Sequence, residues 1–284
     1  MGNTQIEVKP LSGTFGAEVV GLNLANMDAA GFDEVYQLMV DHQVVVFRDQ
    51  HFEPAEYLAF AQQWGEIHQH PFMQGLEEYP GILEIVKTES DKSAFGNAWH
   101  TDQSFMQKPA KFTMLYAREV PQRGGDTLFA NMYASFDALS DQMKSVLGGL
   151  RGWNVGSREK LRATSQSPAA LGPSGMHEQK PPETLQTEAS HPLVRTHIDS
   201  GRKSLYFGGH TMHIDGMTQP ESAPILKYLH THATRPEYLC RVKWAPDSLT
   251  IWDNRCVQHY AVNDYDGLRR RMHRITIAGD ETPV

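Results

Sequence analysis

The segment Trp99-His100-Thr101-Asp102 carries an imidazole and a carboxylate two positions apart. On an extended strand such positions face the same way, so His100 and Asp102 can offer a nitrogen and an oxygen to one ion. His-x-Asp alone arises often by chance, and a metal centre needs a further ligand from elsewhere in the chain. His259, in Trp252-Asp253-Asn254-Arg255-Cys256-Val257-Gln258-His259-Tyr260, is the candidate. Two histidines and a carboxylate occupy one triangular face of an octahedron, the arrangement of non-haem Fe(II) oxygenases. Catalytic zinc sites use the same donors, so the ligands leave the metal open. Of the other histidines, His68, His210 and His213 are expected on the surface or in the core. Asp253-Asn254 reads as a turn that positions the strand bearing His259.

Downstream of His259 lies a basic run, Arg269-Arg270-Arg271-Met272-His273-Arg274. With 26 Lys+Arg against 34 Asp+Glu the chain is acidic, net −8, and lacks the overall charge that attracts nucleic acid. Arginines at alternate strand positions beside a metal are better read as carboxylate clamps, because guanidinium presents a planar two-pronged fork.

Short strands must position these groups. Ile82–Val86, Phe112–Arg118, Thr127–Ala130, Leu193–His197, Ser204–Phe207, Leu239–Trp244, Leu249–Trp252 and Arg274–Ala278 are rich in β-branched and aromatic residues. Val44–Phe47 reads as a fully buried strand. Helical spacing predicts helices over Asp28–His42, from Glu53-Pro54 to a stop at Gly65, over Tyr133–Leu150 and over Ser222–His232. Many short strands with helices mostly outside them predict a sandwich or barrel rather than a doubly wound sheet. The Pro-, Ser- and Thr-rich stretch 157–190 exceeds an ordinary connection and is expected to act as a lid. Two cysteines, Cys240 and Cys256, predict reduced thiols rather than a disulfide framework. The start MGNTQIEVKP lacks the apolar core of a signal peptide, and no apolar run approaches a membrane span. A cytoplasmic protein, without membrane or nucleic-acid partners, is the expectation.

Taken in order, Trp99–Asp102, Gly124–Thr127, His191-Pro-Leu-Val-Arg-Thr-His197, Trp252–Tyr260 and His273–Asp280 resemble the taurine dioxygenase (TauD/TfdA) family of Fe(II)- and 2-oxoglutarate-dependent oxygenases. The resemblance implies a double-stranded β-helix (jelly roll), mainly β with helical decoration, as a single domain over 1–284. It implies Fe(2+) held by His100, Asp102 and His259, with 2-oxoglutarate and O2 as co-substrates and no catalytic side chain beyond the metal centre. Arg270 and Thr127 match the pair that binds the far carboxylate of 2-oxoglutarate. Arg274 and His70 match contacts to the anionic end of the substrate, and Asn97 is the neighbouring polar candidate. Members of the family are commonly dimers or tetramers, so a homo-oligomer is expected.

The implied reaction hydroxylates a small sulfonate or sulfate ester at the carbon beside the heteroatom, releasing succinate and CO2. Met73 and Gly96 replace a tyrosine and an asparagine of the taurine enzymes, and Ser204–Gly216 resembles the aryloxyalkanoate-cleaving branch. An aryloxyalkanoate or other carboxylate is therefore the alternative substrate. A zinc hydrolase and a non-catalytic jelly roll that binds metal or oxo-acid are the alternatives of a different class.

Overall fold

The chain opens with β1 (Glu7–Pro10), β2 (Ala17–Val20), α1 (Ala29–His42), β3 (Val44–Phe47), α2 (Pro54–Gln62), β4 (Ile67–His68) and β5 (Leu83–Lys87). Its middle holds β6 (Phe112–Glu119), β7 (Thr127–Asn131), α3 (Met132–Asp137), α4 (Asp141–Leu147), β8 (Arg151–Val155), β9 (Glu188–Pro192), β10 (Val194–Thr196), β11 (Lys203–Leu205) and β12 (Thr211–Ile214). It closes with α5 (Gln219–Ala233), β13 (Leu239–Val242), β14 (Leu249–Asp253), β15 (Val257–Ala261) and β16 (Arg270–Ile277). The computed structural model describes residues 6–156, 176–177, 179–180 and 184–284.

The largest sheet runs β1-β2-β3-β14-β6-β16-β4, with β5 also paired to β16. Facing it is the sheet β13-β7-β15, and beside that lie β12-β8-β9 and the β10-β11 hairpin. The architecture is a jelly roll. Residue alternation explains its two cores. Along β3, Val45 and Phe47 enter the core beneath α1 and α2, while Val44 and Val46 enter the core between the sheets. All four are fully buried, which is why this strand reads as a continuous apolar run. Each such side chain contributes about 1.5–3 kcal/mol of burial. On β6, Phe112, Met114 and Tyr116 face the helices. Leu115 and Ala117 face the inter-sheet core, and alternation puts Thr113 on that same inner face.

Helix ends follow local chemistry. Asp28 caps α1 by accepting the Gly31 N–H at 2.9 Å, and Pro54 opens α2 where a missing N–H costs nothing. The single helix expected over Tyr133–Leu150 is two, because Ser140 caps a new start at Asp141. The helix expected from Ser222 begins at Gln219 instead. Thr218 and Glu221 form a capping box there, with Pro220 in the first turn.

The strand expected from Arg274 starts at Arg270. The lid expected over 157–190 falls mostly outside the described residues, and regular structure resumes within it at Glu188. Among the described residues no helix is long and apolar enough to cross a membrane. Cys240 and Cys256 are both free and buried.

Candidate active site

His259 lies on β15, and the loop after Asn97 runs beside it. The His100 N–H donates to the His259 carbonyl at 3.1 Å, and the His259 N–H donates to the His100 carbonyl at 2.8 Å. This isolated bridge, not a strand as expected, brings the two imidazoles together with ring centroids 4.1 Å apart. Asp102 follows in a turn, and Gln103, in the left-handed region at φ 54°, bends the chain back. Nε2 of His100 and Nε2 of His259 each stand 3.7 Å from Oδ1 of Asp102. The three donor atoms lie within 4.8 Å of one another.

The protonation states suit a cation. Nδ1 of His100 donates to the Ala98 carbonyl at 2.7 Å, which leaves the lone pair on Nε2. Burial lowers the pKa of His100, and burial together with the neighbouring His100 lowers that of His259 well below its ordinary value. Both rings are thus neutral ligands. The His259 ring is held by packing, 4.8 Å from Trp252, and its Nδ1 has no hydrogen-bond partner among the described residues.

Asp102 is anchored from behind. Its Oδ2 accepts from Thr113 Oγ1 at 2.6 Å and pairs with Arg274 Nη2 at 2.7 Å, leaving Oδ1 toward the two imidazoles. Burial alone would raise its pKa, but the Arg274 guanidinium, with the hydrogen bond from Thr113, holds the carboxyl well below the usual range. Asn254 ties this arrangement to the corner between β14 and β15. Its Nδ2 donates to Thr113 Oγ1 at 2.9 Å, its Oδ1 accepts from Trp252 Nε1 and the Asp102 N–H, and its carbonyl accepts from Thr101 Oγ1. The expected turn is present, and it positions both Asp102 and His259.

The donors open on a small cavity of about 40 Å³ whose polar wall includes His100, His259, Thr127, Arg270 and Arg274. Ile85, Phe95, Leu115 and Trp252 supply an apolar wall. Arg270 and Arg274 share the inner face of β16 because they are four apart on a strand. Arg271 and His273 point outward, to Glu84 at 3.6 and 3.3 Å. Arg270 is 6% exposed, lies over the Trp244 ring at 5.5 Å, and has no carboxylate partner among the described residues. Burial lowers its pKa, with Tyr265 and Asp126 opposing. Trp244 Nε1 donates to Thr127 Oγ1 at 3.1 Å, so indole, hydroxyl and guanidinium form one cluster. The glycines before Thr127 make this possible. Gly124 and Gly125 sit at φ +73° and +71°, and a Cβ on Gly125 would lie 3.4 Å from Arg270 Cδ.

The remaining expected residues lie farther out. His70 Nδ1 accepts the Phe72 N–H at 3.2 Å, and the ring packs on Phe95 of the cavity wall. Asn97 Nδ2 donates to the Ala261 carbonyl at 2.8 Å, and it is Gly96 that lines the cavity.

His68, His210 and His213 join no metal-ligand group among the described residues, although the His210 ring centroid is 6.4 Å from that of His100. A second buried group, His197, Asp253 and Cys256, is closed by Arg255, which binds Asp253 through two nitrogens and Asp199 through one. Thr113, Asn254, Trp244 and Tyr265 were not singled out for these contacts in the sequence. Asn254 and Trp244 lay inside segments already recognised, whereas nothing local marks Thr113.

A jelly roll presenting two imidazoles, one carboxylate and a buried arginine without a carboxylate partner among the described residues has the donor set of a non-haem metal oxygenase. The chain belongs to the family described as Taurine catabolism dioxygenase TauD, TfdA family, which it matches over residues 7–276. It is 32% identical to the alpha-ketoglutarate-dependent sulfate ester dioxygenase of Pseudomonas putida, over 99% of this chain and 91% of that one. It is 33% identical to the alpha-ketoglutarate-dependent 2,4-dichlorophenoxyacetate dioxygenase of Cupriavidus pinatubonensis, over 97% and 98%. The crystal structure of AAD-2 in complex with Mn(II) and N-oxalylglycine superposes with a TM-score of 0.80 at 32% identity, covering 99% of this chain and 100% of that one. The protein is therefore a 2-oxoglutarate (alpha-ketoglutarate)-dependent dioxygenase using Fe(2+) and O2. That decides against the zinc-hydrolase and binding-only alternatives.

Proposed function

We propose that His100, Asp102 and His259 hold the iron, that Arg270 and Thr127 hold the far carboxylate of 2-oxoglutarate, and that the substrate is a small organic sulfate ester or sulfonate. The observation that carries the co-substrate reading is Arg270, a desolvated guanidinium with no carboxylate partner among the described residues, beside Thr127 in the cavity of the three donors. Iron bound there supplies O2-dependent oxidative decarboxylation of 2-oxoglutarate to succinate and CO2, coupled to substrate hydroxylation. The chain's own part is orientation. Thr113 and Arg274 keep Oδ2 of Asp102 engaged, so a single oxygen faces the donors' common centre.

Arg274 Nη2 is on Asp102, but its Nε is buried without a partner among the described residues and is free to donate to a substrate oxyanion. His70 is the second anion contact. The apolar wall of Ile85, Phe95, Leu115 and Trp252 suits a hydrocarbon body rather than a second charged end. Hydroxylation of the carbon attached to sulfate oxygen gives a hemiacetal-like ester. Its collapse breaks that C–O bond and leaves an aldehyde and sulfate.

The second reading, an aryloxyalkanoate, is favoured by the segment Ser204–Gly216, which packs directly on the site: a Cβ on Gly208 would lie 3.3 Å from His100 Cα. The homo-oligomer implied by the family is checked by light scattering. The substrate test is succinate release with Fe(II) and 2-oxoglutarate across alkyl sulfates, alkylsulfonates and aryloxyalkanoates. Stimulation by sulfates or sulfonates is expected. Stimulation by aryloxyalkanoates alone replaces the first reading with the second, and stimulation by none removes both.

A further inference from the structure

Lys87, the last residue of β5, is 2% exposed, and its Nζ is buried with no hydrogen-bond partner among the described residues. Lysine is almost never this buried without a partner, because removing an ammonium from water costs several kcal/mol. The contact the structure offers is the face of Tyr265, whose ring centroid is 4.4 Å from Nζ. A cation–π contact offsets only part of such a cost.

The β5–β16 register explains where this charge points. Lys87 is opposite Arg270, Ile85 opposite Met272 and Leu83 opposite Arg274. Directly opposed residues share a face, and Ile85, two before Lys87, lines the cavity. Lys87 therefore occupies the cavity side of the sheet, at the Arg270 end. Tyr265 joins the two cations: its ring carries Lys87, and its hydroxyl accepts a hydrogen bond from Arg270. Neither cation has an ion-pair partner among the described residues. Two like charges at one end of a desolvated wall raise each other's energy until an anion arrives.

Resting on the reading of Arg270 given above, we propose that Lys87 is a positioning residue for the far carboxylate of the co-substrate, acting through Tyr265. Its ammonium adds positive potential at that end of the cavity. It also occupies the Tyr265 face, so that Arg270 lies over Trp244, toward Thr127.

Calorimetric titration of Mn(II)-loaded protein with N-oxalylglycine and with oxalate tests this. Both chelate through an oxalyl head, and only the first carries a tail carboxylate. In Lys87→Met, N-oxalylglycine is expected to bind about tenfold more weakly, with oxalate unchanged and Lys87→Arg restoring most of the loss. Unchanged binding of both ligands, or an equal loss for both, overturns the proposal. Should Lys87→Met fail to fold, Tyr265→Phe tests the same coupling: selective loss of N-oxalylglycine supports it, and wild-type affinity overturns it. A wild-type protein that binds N-oxalylglycine no better than oxalate instead removes the Arg270 assignment on which the proposal rests.

Discussion

Replacing Arg270 by methionine keeps its apolar stem and removes its fork. The group is 6% exposed, so its interaction with a bound carboxylate is little screened by water. Removing one partner from a buried, hydrogen-bonded charge pair costs about 2–5 kcal/mol. Taking about 3 kcal/mol, the requirement for 2-oxoglutarate rises roughly 150-fold. The folded protein behaves differently. Arg270 has no ion pair to lose among the described residues, and burial already disfavours its charge, so Arg270→Met leaves the melting temperature unchanged or higher. Arg255→Met is the contrast, because it strands the buried Asp253 that it binds through two nitrogens, and it lowers stability. The assay is succinate formation against 2-oxoglutarate concentration, with thermal melts of the metal-free protein. A KM for 2-oxoglutarate that stays within about twofold of wild type refutes the assignment.

Thr113→Val removes the hydroxyl on Asp102 Oδ2 and strands Asn254 Nδ2. It is expected to weaken metal binding about 10–100-fold, as second contacts to ligands do, and wild-type affinity in a metal titration would contradict this. Gly124→Ala places a Cβ at φ +73° only 2.8 Å from the Asp264 carbonyl oxygen. A loss of about 2–4 kcal/mol in urea unfolding is expected, and a change below about 0.5 kcal/mol would remove the strain argument. His191 is fully buried, and burial pulls its pKa to about 4, as it does for His68. The unfolded chain takes up these protons first, near pH 6.5, so their contribution is complete above about pH 6.5 and lost as pH falls toward 4. Urea midpoints at about pH 7.5, 5.5 and 4.5 should decline in that order; a flat series contradicts the sign.

The elements legible in the sequence were those with their own local signal. Val44–Phe47, the helix over Asp28–His42 and the proline start at Pro54 needed no tertiary information. The split of the third helix did: Phe136, Leu139, Met143 and Leu147 keep one continuous apolar spacing, while Ser140 restarts the backbone. The proposed ligands His100, Asp102 and His259 were found from residue type, yet the reason they meet is a bridge between a loop and β15 rather than strand alternation. Arg270 and Arg274 were separable from Arg271 only by period two, since all belong to one basic run. Thr113 and Lys87 carry no signature. Each matters because a neighbouring strand brings it beside Asp102 or Arg270.

The most direct measurement is anaerobic addition of Fe(II) and 2-oxoglutarate to wild-type protein and to His259→Ala, followed by visible absorption. The expected result is the weak charge-transfer band of the chelated oxo-acid in wild type, at one iron per chain, and its loss in a His259→Ala variant that keeps its fold by circular dichroism. The same band in both proteins would show that His259 is not among the residues that hold the iron.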